Sequence, residues 1–222
     1  MRAEHIEVLV EELSMEAALR VLMPRIVGTT SFEVHSHQGK SDLLARLPSR
    51  LRGYASWVPA TWRIVVIVDR DDEDCVALKA RLEKLATEAS LATRTASRGK
   101  YVVVNRVAVE ELEAWYFGDW DAVRATYPRV PGSIPVRSRY RDPDAIAGGT
   151  WEALERVLQD TGYFQTGLAK IEAARLIAAN MVPERNTSNS FQALRKALAE
   201  ISGQQPIVTL VTPTSPSPRA RP

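Results

Sequence analysis

The run Ile64-Val65-Val66-Ile67-Val68, stopping abruptly at Asp69, constrains this chain more than any other stretch. A strand that shows one face to water alternates apolar and polar residues. A run of β-branched residues with no polar member must be buried on both faces, which describes a central strand of a parallel sheet. Parallel neighbours require crossover connections, usually helical, and the flanking sequence supplies them. Ile6 to Val10 and Ser31 to His35 read as earlier strands, and Tyr101 to Val104 as a later one. Between them, Met15, Leu19, Leu22, Met23 and Ile26 recur at helical spacing, with Ser14 as a candidate N-cap. Leu43, Leu44, Leu47 and Leu51 form a second helical stripe, Leu78, Leu82, Leu85 and Ala89 a third, and Glu110 to Phe117 reads as a further helix. The expected class is α/β, a mainly parallel sheet flanked by helices.

The second half changes character. Pro128, Pro131, Pro135 and Pro143 punctuate a connector expected over residues 128–149. Helical patterns follow around Trp151–Gln159, Leu168–Ala179 and Phe191–Ile201, giving a small C-terminal helical extension over 150–202. Asn189 with Gln192 three residues on suggests a capping box. Residues 203–222, rich in Pro, Thr and Ser, are expected to form a disordered tail. The α/β unit itself is expected to occupy residues 1–127.

Charge narrows the function. The formal net charge is +2, and both excess cations, Arg219 and Arg221, lie in the acid-free tail. No global basic field advertises nucleic acid, so any such surface must be local. The single cysteine, Cys75, excludes an intrachain disulfide and suits a reducing cytoplasm. Neither a signal peptide nor a membrane-spanning run is visible, so a cytoplasmic location without membrane attachment is expected.

Chemistry-bearing residues gather at the strand ends. Val10 runs into Glu11-Glu12, and Val68 into Asp69-Arg70-Asp71-Asp72. In an open parallel sheet, ligands bind at the carboxyl edge. Carboxylates converging there repel one another unless a cation neutralises them, and hard oxygen donors suit magnesium or manganese. Taken alone, the same acids fit helix capping equally well. Gln38-Gly39-Lys40-Ser41 lies between a strand and a helix, where a phosphate-binding turn would sit, without the further glycine of a P-loop. His35 and His37 share a strand face but lack an evident third zinc ligand. Arg137, Arg139 and Arg141 alternate in the connector.

These pieces together resemble the Toprim pattern, a glutamate after the first strand and Asp-x-Asp after a later one. They are carried here by Val10-Glu11-Glu12-Leu13-Ser14-Met15-Glu16 and Val68-Asp69-Arg70-Asp71. More closely, the chain resembles the bacterial Toprim-like domain-of-unknown-function family 4276, related to overcoming-lysogenization-defect type nucleases. The matching stretches are Glu11-Glu12-Leu13-Ser14, His37-Gln38-Gly39-Lys40, Val68 to Asp72 with Cys75 and Lys79, and Glu111-Leu112-Glu113-Ala114-Trp115. Ser188-Asn189-Ser190-Phe191 is a further match. Glu12 stands where those nucleases usually carry glycine.

The resemblance implies a nuclease dependent on Mg2+ or Mn2+, with Glu11, Asp69 and Asp71 as metal ligands and Lys40 on the scissile phosphate. It implies a nucleic-acid substrate, DNA ahead of RNA, and an ATPase partner protein in anti-phage defence. The rival expectation is a non-catalytic nucleic-acid-binding or partner-regulating module on the same scaffold. A phosphoacceptor receiver domain ranks below both, being shorter. Glu111 and Glu113 are further candidate ligands. Two residues apart on a helix they face opposite ways, and with Leu112, Trp115 and Tyr116 read as core, Glu111 is the one expected at the site. Oligomeric state is left open.

Overall fold

The computed structural model describes residues 2–97, 99–167 and 169–204, so the expected tail beyond residue 204 lies outside the described residues. In chain order the elements are β1 (His5–Val10), α1 (Leu13–Val27), β2 (Ser31–Ser36), α2 (Lys40–Trp57), β3 (Trp62–Asp69), α3 (Cys75–Glu88) and β4 (Val103–Ala108). Then come α4 (Glu113–Gly118), α5 (Trp120–Thr126), two short 3-10 turns, α6 (Thr150–Asp160), α7 (Lys170–Asn180) and α8 (Asn189–Ser202). The four strands pair in the order β2-β1-β3-β4, every pairing parallel.

The apolar run forms the centre of the sheet, as its composition requires: from Arg63 to Asp69 every residue of β3 is buried. Its alternate side chains feed two apolar layers. Val65 and Ile67 join Ile6, Val8 and Val10 of β1 against α1 and the helices of the second half. Ile64, Val66 and Val68 join Leu9 against the leucine stripes of α2 and α3. The C-terminal helices therefore share one apolar layer with the first helix, and α7 lies directly against α1. No helix among the described residues is long and apolar enough to cross a membrane.

This order creates a switch point. From β1 the chain leaves through α1 on one face toward β2; from β3 it leaves through α3 on the opposite face toward β4. The adjacent ends of β1 and β3 thus border the kind of crevice where open α/β sheets bind ligands.

The second half holds α4 in place. Asn186 donates from Nδ2 to the carbonyl of Trp115 at 2.7 Å, and the Trp115 indole donates to Ser190 Oγ at 3.2 Å. Asp144 collects Ser188 Oγ at 2.8 Å, Ser190 Oγ at 2.9 Å and the Asn189 amide at 2.5 Å. Gly118 is needed where α4 meets this loop, because a Cβ there would stand 2.2 Å from Asn186 Oδ1 and 2.8 Å from Ser188 N. The cap of α8 is Ser188, accepting from the Phe191 amide at 3.1 Å, rather than Asn189. Gln192 turns to the carbonyls of Pro183 and Asn186 instead of closing a capping box. Ser14 likewise lies inside α1, its hydroxyl donating back to Glu12.

Candidate functional site

Glu11 follows β1 directly and Asp69 ends β3, so the switch point brings both carboxyls together. Each is buried, with 8% and 7% of its surface exposed. Glu11 Oε1 accepts the backbone N–H of Asp69 at 2.7 Å, tying one strand end to the other. Asp69 Oδ1 is buried and has no hydrogen-bond partner. An orphaned carboxylate oxygen of this kind costs on the order of 1–3 kcal/mol, more when charged. A water or an ion can complete such a group.

Lys40 enters from the opposite wall. Gly39, at φ 89°, gives the chain a turn that side chains resist, and its N–H donates to the Glu11 carbonyl at 2.9 Å. Lys40 then opens α2, with Nζ 2.7 Å from Asp71 Oδ2, 3.0 Å from Glu73 Oε1 and 3.1 Å from the Arg70 carbonyl. Asp71 itself is exposed and sits at φ 49°, a left-handed conformation uncommon outside glycine. Arg70, between the two aspartates, turns away to pair with Glu110.

The acids do not serve as helix caps. Glu12 precedes α1 without a side-chain capping bond. Asp74, beyond the Asp69–Asp72 cluster, caps α3 by accepting the Ala77 amide at 2.7 Å. The capping role that a reading of sequence could assign to Asp69 or Asp71 is thus filled by another residue.

Of the pair in the Glu-Leu-Glu stretch, Glu113 is the one turned inward. It is buried, and its charge acts on Asp69. Glu111 faces the other way: its Oε2 accepts Thr150 Oγ1 at 3.0 Å and the Trp151 amide at 2.8 Å, at the start of α6. The expected facing is reversed because α4 begins only at Glu113, leaving Glu111 before the helix and outside its periodicity.

Burial governs the protonation of this group. It lifts the Glu11 carboxyl to about 7, against the pull of the Asp69 amide and Lys40. It lifts Asp69 well above the carboxylate range, helped by the charges of Glu11, Glu113, Glu12 and Asp71. Glu113 rises to about 8, chiefly through burial, while the Lys170 ammonium works the other way. Burial works to lower Lys40, yet its bonds to Asp71 and Glu73 hold it above the ordinary lysine value.

The model of the family described as Domain of unknown function (DUF4276) matches residues 10–199, which takes in every residue of this site and the Ser188–Phe191 anchor. The chain belongs to this family. No curated protein matches it. Among solved structures it is similar to the C-terminal region of the Xanthomonas campestris pv. campestris OLD protein, at 13% identity and a TM-score of 0.46, over 89% of this chain and 97% of that one.

The donor set of this DUF4276 chain fits a hard divalent cation in its chemistry: oxygen donors only, mutually repelling, with Asp69 Oδ1 left without a partner. Among the described residues, no three acid, imidazole or thiol side chains stand close enough to form a ready-made metal cluster. Asp71 instead faces the Lys40 ammonium. Two participants escaped sequence reasoning. Glu12 stands among the strand-end acids but outside the expected ligand set, yet its charge reaches Asp69, Glu11 and Glu113. Tyr116, read as core, is buried, but its hydroxyl has no hydrogen-bond partner and burial plus the charges of Glu113, Glu12 and Asp69 hold it protonated. Its place one helical turn after Glu113 is the signal that could have found it.

Histidine placement removes the zinc alternative. His35 Nε2 lies 2.6 Å from Glu7 Oε2, while His37 Nδ1 lies 2.8 Å from the Val10 carbonyl, so the two rings are committed to different partners.

Proposed function

We propose that this chain is a Toprim-type nuclease that hydrolyses phosphodiester bonds of DNA or RNA with Mg2+ or Mn2+. The observation that carries the reading is the buried, unpartnered Asp69 Oδ1 beside Glu11 at the switch point of the sheet. Glu11, Asp69 and Asp71 would hold the ion, with Glu113 behind Asp69 and Glu111 bonded to the start of α6. A bound divalent cation supplies charge to polarise the phosphate and to acidify water. The remaining work falls to the chain. If a single ion is held by the aspartates alone, Glu11 instead serves as the general base to the attacking water. Lys40, released from Asp71, offers a point charge to a phosphate oxygen. Glu113, protonated near neutrality, limits the negative charge that the crevice must carry. An ATPase partner and a role in anti-phage defence rest on the family resemblance of the sequence motifs.

The test pairs cleavage with metal binding. Supercoiled plasmid and single-stranded DNA and RNA are incubated with Mg2+ or Mn2+, and Mn2+ affinity is measured by calorimetry. Asp69→Asn is expected to weaken Mn2+ binding and to reduce cleavage on the order of a hundredfold or more, since even outer-shell changes cost ten- to a hundredfold. Cleavage that survives Asp69→Asn and Asp71→Asn together would come from a contaminant. An intact chain that binds no Mn2+ would leave the rival reading, a non-catalytic module, for which the Lys40–Asp71 pair supplies an internal counter-charge in place of a metal.

A further inference from the structure

A cavity of about 580 Å³ opens on the β2 side of the strand ends, lined by Leu13, His37, Gln38, Asp42, Arg46 and Arg50 among others. It adjoins the acid crevice. Leu13 lies two residues past Glu11, and Gln38 precedes the glycine whose N–H holds the Glu11 carbonyl.

The way Arg50 is held sets this cavity apart. The Val10 carbonyl can only accept, so the proton on the His37 ring sits on Nδ1, 2.8 Å away. Burial lowers the affinity of that ring for a second proton, and the Arg50 charge acts the same way, so His37 is neutral. Its Nε2 therefore presents a lone pair, and it accepts from Arg50 Nη1 at 3.2 Å. Arg50 is oriented by a group that carries no charge. Among the described residues it forms no ion pair with a carboxylate. Arg46 shares the wall, with Nε on Asp42 Oδ1 at 2.6 Å, and Asp42 also accepts the Gln38 amide at 3.2 Å. Two guanidinium groups thus stand against one carboxylate, and the surplus charge is the half-buried Arg50.

A second cavity, of about 450 Å³ at the opposite end of the sheet, also has two guanidinium groups and one carboxylate, but both guanidinium groups are engaged: Arg63 Nη1 donates to the carbonyls of Ala60 and Trp62 at 2.9 and 2.6 Å. There Arg94 is bound twice by Glu200, at 3.1 and 2.5 Å, and its charge is spent within the chain.

We propose that the His37–Arg50 cavity is a phosphate subsite for the nucleic-acid strand, holding a backbone phosphate beside the one that reaches the acids, with Arg50 as its charged donor. The proposal rests on the nuclease reading for the identity of the strand. Arg50 is half-buried and fork-shaped, which suits two-point recognition of phosphate oxygens. The neutral His37 fixes one guanidinium nitrogen and leaves the others free for the ligand.

The test is fluorescence anisotropy of labelled DNA and RNA oligonucleotides on the full chain, with calcium as the only divalent ion, across a salt series. Arg50→Gln is expected to weaken binding about five- to tenfold and to reduce the salt slope by about one. Arg50→Lys should lie between it and the parent, and Arg94→Gln should match the parent. Mn2+ affinity should stay unchanged in Arg50→Gln. Equal binding by Arg50→Gln and the parent overturns the subsite, as does a parent that binds no oligonucleotide. Inorganic phosphate binding as tightly as the oligonucleotide overturns the assignment to a strand. If Arg50→Gln melts early, Arg50→Lys decides alone. Oligonucleotide binding that depends on Arg50, in a chain whose cleavage and Mn2+ binding ignore Asp69, would sink the nuclease reading and leave the subsite standing.

Discussion

Glu7 lies within β1 and Glu11 directly after it, four residues on, and each is 8% exposed. Their surroundings are opposites. Glu7 is completed by the chain: Tyr54 donates to Oε2 at 2.9 Å, His35 Nε2 lies 2.6 Å from that oxygen, and His5 Nε2 lies 3.0 Å from Oε1. Burial alone would raise its carboxyl, but those three partners hold it below the ordinary value. Glu11 has one amide for a partner and three acids for neighbours, and its carboxyl rises to about 7. The same residue type, with the same exposed fraction, is finished inside the fold within β1 and left unfinished just beyond it. Depth alone therefore says nothing of purpose; the partner inventory does.

The largest effect that separates the two ends is on stability. Glu7→Gln keeps the shape but removes the charge that its histidine and tyrosine partners address, and Glu7→Ala leaves the buried Tyr54 hydroxyl and both imidazoles without their acceptor. Glu7→Ala is expected to cost about 2–3 kcal/mol, read as a lowered urea midpoint, with Mn2+ affinity unchanged. Asp69→Asn should do the reverse, weakening Mn2+ binding while the metal-free chain holds or gains stability, because a buried acid among repelling carboxylates is gone. Loss of Mn2+ binding in Glu7→Ala, with the fold intact, would break the comparison.

Next in size is the pH response of the metal-free chain. Glu11, Asp69 and Glu113 have folded-state values raised above those of the unfolded chain. Between the unfolded value and the raised one, the folded state binds more protons, so stability is greatest below about pH 4.5 for these groups and falls as pH rises toward 7–8. Glu7 runs the other way: its value is lowered, so its contribution is present above the unfolded value and lost as pH falls through the folded one. Urea midpoints in a chelator should therefore decline from pH 5 to pH 8, by on the order of 1 kcal/mol or more. Glu113→Gln should flatten that decline. Saturating Mn2+ at pH 8 should offset it, by about 2.7 kcal/mol at a hundred times Kd. A rising midpoint over that range in the chelated chain would contradict the burial argument.

The sequence exposed those parts of the site whose signals are local. An unbroken β-branched run announces a doubly buried strand, and an acid directly after it announces the carboxyl edge. Glu11, Asp69 and Lys40 meet because strand ends meet, a consequence of sheet topology alone. Errors arose where the answer depended on a distant residue or on one position of phase. Ser14 and Asn189 are plausible caps by type, but α1 starts before the first and Ser188 precedes the second. Nothing near Glu111 in sequence reveals that Thr150 and Trp151 wait for it. Glu12, Tyr116 and the His37–Arg50 pair belong to the same class: ordinary residues whose role lies in what they lack or lean on.

The smallest effect settles which acid of the Glu-Leu-Glu stretch belongs to the crevice. Glu111 accepts the Trp151 amide and the Thr150 hydroxyl at the start of α6, where a negative charge also meets the positive end of the helix dipole. Glu111→Gln keeps one acceptor and loses the charge, so the expected cost is about 0.5–1 kcal/mol, with Mn2+ affinity and the pH slope unaltered. Glu113→Gln should alter the slope and gain stability without metal, because the cost of burying this carboxyl near Asp69 outweighs what its own amide at the start of α4 returns. The two substitutions are the same chemical change two residues apart. Opposite signs in a melt at pH 8 would show that one acid builds the wall and the other belongs to the crevice, while equal signs would place both on the same side of that line.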